Sequence, residues 1–265
     1  MQIPIFYVDA FTDRPFRGNP AAVCLLDSWL DDRQMHKVAR ENNLSATAFL
    51  LPRGKEYEIR WFTGQSELQL CGHATLASGF VVLNFLRPEG VEVQFSSRFH
   101  GILTVQKSKT FHSLTLPTLS PQPLVEIPIA LAAAVSRMHL RPVEVWEVNQ
   151  VYMLVLKDQH AVQNMTPDFE VLHKLHPYAV LITARGEEVD FVSRYFAPGY
   201  GIPEDPATGS SHCLLAPYWS QRLSKSRLHA RQLSQRGGEL WCETAGDRVL
   251  LQSNAVLTMR GTLWF

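Results

Sequence analysis

Two stretches of this chain share one grammar, and together they constrain its fold more than any other feature. The first is Leu68-Gln69-Leu70-Cys71-Gly72-His73-Ala74-Thr75-Leu76-Ala77-Ser78-Gly79-Phe80: an apolar approach, a glycine turn, a polar residue, then an apolar helix. The second is Glu204-Asp205-Pro206-Ala207-Thr208-Gly209-Ser210-Ser211-His212-Cys213, continued by the apolar run Leu214-Leu215-Ala216. Pro206 fixes φ and Gly209 permits unusual φ/ψ, so the second turn is sharp. The helix predicted from His73 to about Leu86 is apolar nearly all round, which marks it as a central helix with a sheet wrapped about it. One such start lies in each half of the chain, the pattern of a weak internal duplication.

The chemistry expected of these starts follows from their backbone. The first turn of a helix carries N–H groups with no partner inside the helix, and they favour an anion. An acidic side chain beside such a site is costly unless it has a task, so Asp205 is the first candidate for catalysis. His73 is the second, because imidazole titrates near neutrality. Thr208, Ser210 and Ser211 are small hydroxyl residues suited to capping the second helix. Gly72 and Gly209 would offer their amides to the anion. The active site is expected where the two similar halves face one another.

Composition bounds the rest. At 265 residues the chain exceeds the usual single domain, so two are expected. Three prolines between Pro117 and Pro123 mark the boundary, giving halves at 1–118 and 119–265. Lys+Arg and Asp+Glu both number 25, so net charge supplies no case for nucleic acid or an anionic membrane. The four cysteines, Cys24, Cys71, Cys213 and Cys242, are widely spaced in apolar contexts, as buried thiols of a reducing compartment are. The amino terminus lacks the pattern of a signal peptide, and the expected location is cytoplasmic. No metal site is expected: no H-x-x-x-H pair comes with a carboxylate, and Cys71-x-His73 stands alone.

Along the chain, short β-rich runs dominate. Strands are predicted over Ile3–Asp9, Ala21–Leu26, Leu44–Leu51, Tyr57–Thr63, Val91–Phe95, Gly101–Gln106 and Ser113–Leu116. A helix capped by Ser28 or Asp31 runs to about Asn42, and an Ala-rich one spans Ile129–Arg137. The second half continues with strands within Val143–Leu156, a helix over Asp168–His176, and strands over Tyr178–Thr183 and Val189–Phe196. After the Asp205 loop and its helix come strands over Glu239–Cys242, Val249–Gln252 and Val256–Phe265. Many short strands with two central helices give an α+β fold in two like halves, not alternating βαβ.

At several of these points the sequence resembles the phenazine-biosynthesis PhzF family, within the diaminopimelate-epimerase-like fold. The residues that carry the resemblance are Val8-Asp9-Ala10-Phe11-Thr12, Phe16-Arg17-Gly18-Asn19-Pro20-Ala21-Ala22-Val23, Asn43-Leu44-Ser45 and Arg60-Trp61-Phe62-Thr63. They continue with Leu70 to Ala77, Glu204 to Ser210 and Arg231 to Gly238. The resemblance implies two barrel-like, mostly antiparallel halves, each around a central helix. It implies a cofactor-free isomerase that moves a proton and a double bond on a small cyclic carboxylic acid. His73, Asp205 and Ser210 would stand around the reacting carbon, Gly72 and Gly209 would hold the carboxylate, and members are often homodimers. Asn19 would bond substrate or stabilise its own loop, and Ser45 would reach the cleft.

One departure matters more than the matches. The family's Asn-Leu-Ser motif is usually followed by a Glu that serves as general acid/base, and here that position is Ala46. Losing such a group typically costs ~10²–10⁴-fold in rate. No carboxylate sits next to Ala46 to replace it; Glu41 and Glu67 lie elsewhere in this half. Two further readings stay open beside the isomerase. One is a non-catalytic protein that binds small carboxylates. The other is a two-cysteine racemase built on Cys71, for which the second half offers Thr208 before Gly209 and Cys213 a turn later.

Overall fold

The computed structural model describes residues 2–264. It divides into two compact units. The first runs to Leu116 and takes the chain back from Leu250 onward; the second is Pro117–Val249. Met1 and Phe265, the outer limits of the expected halves, lie outside the described residues.

Unit 1 opens with β1 (Gln2–Ala10) and β2 (Asn19–Leu25), followed by α1 (Asp32–Asn42). Asp31 caps α1: its side chain accepts the Gln34 N–H, and the Gln34 side chain returns to the Asp31 N–H, a complete capping box. Next come β3 (Ala46–Arg53), β4 (Glu56–Phe62) and the short β5 (Glu67–Leu68). The central helix α2 (Gly72–Val81) runs on through a π-helical turn at Val82–Leu86, and β6 (Glu92–Ser97), β7 (Gly101–Lys107) and β8 (His112–Pro117) follow. Every residue of α2 except Phe80 is buried, as its all-round apolar sequence requires. It packs on β1, β2, β3 and β7. Contact with β7 is so close that a Cβ on Gly79 would sit 2.3 Å from Cγ1 of Val105.

Unit 2 begins with β9 (Gln122–Pro123) and α3 (Ile129–Arg137). Strands β10 (Glu144–Val148) and β11 (Val151–Val155) form a hairpin whose two turn residues, Asn149 and Gln150, both have positive φ, as right-handed strand twist demands. Two short helices, α4 (Gln159–Gln163) and α5 (Phe169–His173), are capped by the side chains of Asp158 and Asp168. Then come β12 (Ala179–Arg185), β13 (Phe191–Ala197) and β14 (Ile202–Asp205). Helix α6 (His212–Leu223), β15 (Arg227–Gln232) and β16 (Gly238–Ala245) follow, and β17 (Arg248–Ser253) carries the chain across the boundary after Val249. The last strand, β18 (Ala255–Trp264), pairs antiparallel with β1 from Gln2↔Trp264 to Ala10↔Ala255. That long ladder returns residues 250–264 to unit 1, a correction to the expected second half at 119–265.

The duplication suggested by the sequence is explicit in the ladders. In unit 1, β1–β2 is antiparallel, β2–β3 parallel, β3–β4 and β4–β5 antiparallel, β4–β6 parallel and β6–β7 antiparallel. In unit 2, β10–β11, β11–β12, β12–β13, β13–β14, β13–β15 and β15–β16 repeat that series in the same order. Each parallel pairing spans a helical crossover, which parallel neighbours need. By this correspondence α2 and α6 occupy equivalent places, each between two parallel strands.

Candidate functional site

The candidate residues fall into two groups, one in each unit: Asn19, Ser45, Ala46, Gly72 and His73 form the candidate half-site of unit 1, and Asp205, Gly209 and Ser210 that of unit 2.

In unit 1, strand register decides which side chains can serve α2. Paired residues point to the same face and successive residues alternate. Ala46 pairs with Ala21, and Ala21 with Val8, whereas Ala22, Cys24 and Phe49 join the cluster under α1. Ala46 therefore lies on the α2 face, together with Asn19, two residues before Ala21. Both are fully buried. Asn19 is reached through a constrained loop: Gly18 has φ +62°, and a Cβ there would fall 2.0 Å from the Ala10 carbonyl oxygen. Ser45 is half-buried in the turn ahead of β3.

Gly72 is the first residue of α2, and Cys71 precedes it without a side-chain cap. The Cys71 side chain therefore does not occupy the first-turn amides. His73 is buried, and its Nδ1 lies 3.5 Å from the Cys71 sulfur. Burial pushes the imidazole down to about 4, so it is neutral at physiological pH.

Three carboxylates of unit 1, Asp9, Glu67 and Glu41, are placed or engaged away from the α2 face on which Ala46 lies. Asp9 is buried, but it pairs with Pro20 and so points to the opposite face, where Oδ2 accepts the Phe16 N–H at 2.7 Å. Glu67 is held by Arg60 through two 2.7 Å bonds, and Glu41 is exposed on α1.

In unit 2, Asp205 ends β14 and is 8% exposed. It pairs with Tyr195, while Ser193 of the same strand pairs with Gln232. Asp205, Tyr195, Ser193 and Gln232 therefore share a face. Phe191, also on that face, stacks on Trp219 of α6, so this is the helix side of the sheet. Thr208 donates its hydroxyl to Oδ2 of Asp205 at 2.5 Å. The neighbouring Glu204 alternates to the other face and is gripped by Arg194 in a two-bond pair at 2.7 and 3.0 Å. The Tyr195 phenol is pushed well above its usual range, first by burial and then by the charge of Asp205.

The expected hydroxyl capping of α6 is not what forms. Ser211 occupies the cap position in αR conformation and makes no side-chain cap bond. Its hydroxyl instead donates to the Thr208 carbonyl at 2.8 Å, and Thr208 is committed to Asp205. A tight first turn satisfies the N–H groups of His212, Cys213 and Leu214 on the carbonyls of Gly209, Ser210 and Ser211. The amides of Gly209, Ser210 and Ser211 then lead into the helix, Gly209 buried and Ser210 exposed.

Two residues had no individual signal in the sequence. Gln232, 1% exposed, makes three hydrogen bonds to the Asp205–Thr208 loop. His212, fully buried, places Nδ1 2.8 Å from the Thr208 carbonyl, and burial holds it down at about 4. The thiol of Cys213 is buried and pushed up to about 12, the wrong direction for the thiolate that a racemase base requires. Among the described residues, no three His, Cys, Asp or Glu side chains group as metal ligands. No helix there is long and apolar enough to cross a membrane.

Residues 8–261 match the phenazine biosynthesis-like proteins, PhzC-PhzF. The chain belongs to that family. PhzF relatives match from end to end. An uncharacterized isomerase of Pseudomonas aeruginosa is 44% identical over 263 residues, 99% of each chain. A phenazine biosynthesis-like domain-containing protein of Bos taurus is 38% identical over 287 residues, again 99% of each. The crystal structure of a PhzF-family protein from Enterococcus faecalis matches at a TM-score of 0.93 and 41% identity, covering 100% of both chains. A hydroxyproline epimerase of Agrobacterium vitis matches at a TM-score of 0.65 with 8% identity, covering 99% of this chain and 92% of its own, and so shares the fold alone.

Proposed function

We propose that this protein is a cofactor-independent PhzF-type isomerase scaffold whose substrate is a small cyclic carboxylic acid. The observation that carries this reading is the unit 2 half-site, where a buried carboxylate, Asp205, sits beside a helix start that no side chain caps. Backbone amides near Gly72 and Gly209 would receive the substrate carboxylate. Asp205 would hold or accept the proton that moves at the adjacent carbon. Neutral His73 would act as a hydrogen-bonding partner, since burial keeps it from charging. Asn19, Ser45 and Ser210 would contact the substrate. A homodimer is the assembly expected from the family resemblance.

Ala46 favours a second reading, a protein that binds small carboxylates without turning them over. Its fully buried methyl stands where active relatives are expected to carry the acid/base. Hydrogen exchange in heavy water, followed by NMR on a panel of cyclic unsaturated carboxylic acids, separates the two. Exchange by this chain itself would assign the proton to another residue, Asp205 first. Exchange only after Ala46→Glu would show an isomerase site disabled at one position. If Ala46→Glu leaves exchange at background while fold and ligand-induced stabilisation survive, the binding reading stands and the isomerase reading fails.

A further inference from the structure

The Asp205–Thr208 loop is held at four backbone polar groups. Gln232 Oε1 accepts the Thr208 N–H at 2.8 Å, and Gln232 Nε2 donates to the Asp205 carbonyl at 2.7 Å. Ser234 Oγ donates to the Pro206 carbonyl at 2.6 Å. Ser211 and His212 both reach the Thr208 carbonyl at 2.8 Å. Gln232 of β15, Ser234 of the turn after it, and Ser211 and His212 at the start of α6 therefore hold three of the loop's four residues, Asp205, Pro206 and Thr208.

The Gln232 bonds carry a direction. A peptide N–H can only donate and a peptide carbonyl can only accept, so these two contacts settle which end of the Gln232 amide is oxygen. The NH₂ end also lies 3.2 Å from the Thr208 hydroxyl oxygen. That oxygen therefore accepts from Gln232, and its single hydrogen is directed to Asp205 Oδ2. Turning the hydroxyl round would set its hydrogen against the Gln232 N–H. Asp205 thus faces a donor whose orientation is imposed from β15, and a donor aimed at a carboxylate favours its charged form.

We propose that Gln232 is the positioning residue of the unit 2 half-site, holding Asp205 as an ionised acceptor by orienting the Thr208 hydroxyl. This rests on the reading of Asp205 as the proton-transfer group. Asp205 is the atom-level participant; Gln232 acts through Thr208. The Tyr195 phenol of β13 faces Asp205 and is raised first by burial, then by Asp205 and then by Tyr200. Neutral His212 comes from α6, and Glu204 is already engaged by Arg194. Arg236 lies in the turn after β15. None of these is altered by the variants below.

The test is the titration of Asp205 in the full-length protein without substrate. Aspartate carboxyls are labelled with carbon-13, Asp205 is assigned from Asp205→Asn, and its midpoint is followed by NMR. Thr208→Val should raise the midpoint by about one pH unit, and Thr208→Ser, which keeps the hydroxyl, should not. Gln232→Met should raise it too, and should add almost nothing in the Thr208→Val background, because the oriented hydroxyl is already gone. An unchanged midpoint in Thr208→Val overturns the proposal. So does a Gln232→Met shift that is equally large with and without the Thr208 hydroxyl. Should Gln232→Met fail to fold, the Thr208→Val and Thr208→Ser pair decides alone. Failure of the isomerase reading would appear elsewhere, as absent proton exchange with these titrations intact.

Discussion

The N–H of Leu119 donates to the carbonyl of Cys213 at 2.9 Å, inside α6. The reason is Pro217, four residues after Cys213, which has no N–H to close that turn of the helix. A segment before β9 thus fills the vacancy that the proline leaves. The prediction is a coupling between the two positions. Leu119→Pro should cost about 1–3 kcal/mol, because it strands a buried carbonyl. In the Pro217→Ala background the helix can supply its own donor, and the cost should shrink by at least ~0.5 kcal/mol. Urea unfolding of the four proteins closes the cycle, and strict additivity would refute the pairing.

Arg194 and Glu204 give a second prediction. The guanidinium is largely buried, and besides Glu204 it serves the carbonyls of Val162 and Met165. Arg194→Met leaves a carboxylate and two carbonyls without their donor, for a loss of about 3–5 kcal/mol. Arg194→Met combined with Glu204→Gln should recover part of that loss, since the stranded charge is removed. If the double variant is no more stable than Arg194→Met, the charge is not the cause.

Much of the fold was legible because local patterns demanded it. The all-round apolar run after His73 could only be a buried helix, and of the two caps the sequence offered for α1, Ser28 or Asp31, the structure uses Asp31. The return of β18 to β1 left no such trace, since a pairing between residues 2 and 264 depends on nothing local. Helix α4 escaped for a related reason: five residues behind an Asp cap are too short for a period to show. Among the candidate site residues, Asp205 and His73 are singled out by residue type and turn context. Gln232 is not, because an amide's importance lies in its partners, and those are 24 to 27 residues away.

Gly79 should not tolerate a side chain. A Cβ there meets Val105 at 2.3 Å, while β1, β2 and β3 press on the helix from other sides. Gly79→Ala should therefore cost about 1–3 kcal/mol despite the better helix propensity of alanine. Adding Val105→Ala opens the space and should return a measurable part of the loss. Thermal or urea unfolding checks both, and a stabilised Gly79→Ala would show that α2 can move away from β7.

Three buried histidines set the last expectation. His73, His112 and His212 are each pushed down to about 4, burial being the first cause in every case. An unfolded histidine titrates near 6.5. Above that pH both states are neutral and the histidines contribute no pH dependence. Below it the unfolded chain takes up protons that the folded chain refuses, so stability falls as the pH drops from about 6.5 towards 4. Each histidine can contribute a slope of up to about 1.4 kcal/mol per pH unit. His212→Asn keeps a donor near the Nδ1 position but cannot titrate. It should flatten the slope by one histidine's share between pH 6.5 and 4. Urea unfolding at closely spaced pH values measures this, and an unchanged slope would mean that His212 accepts its proton inside the folded protein.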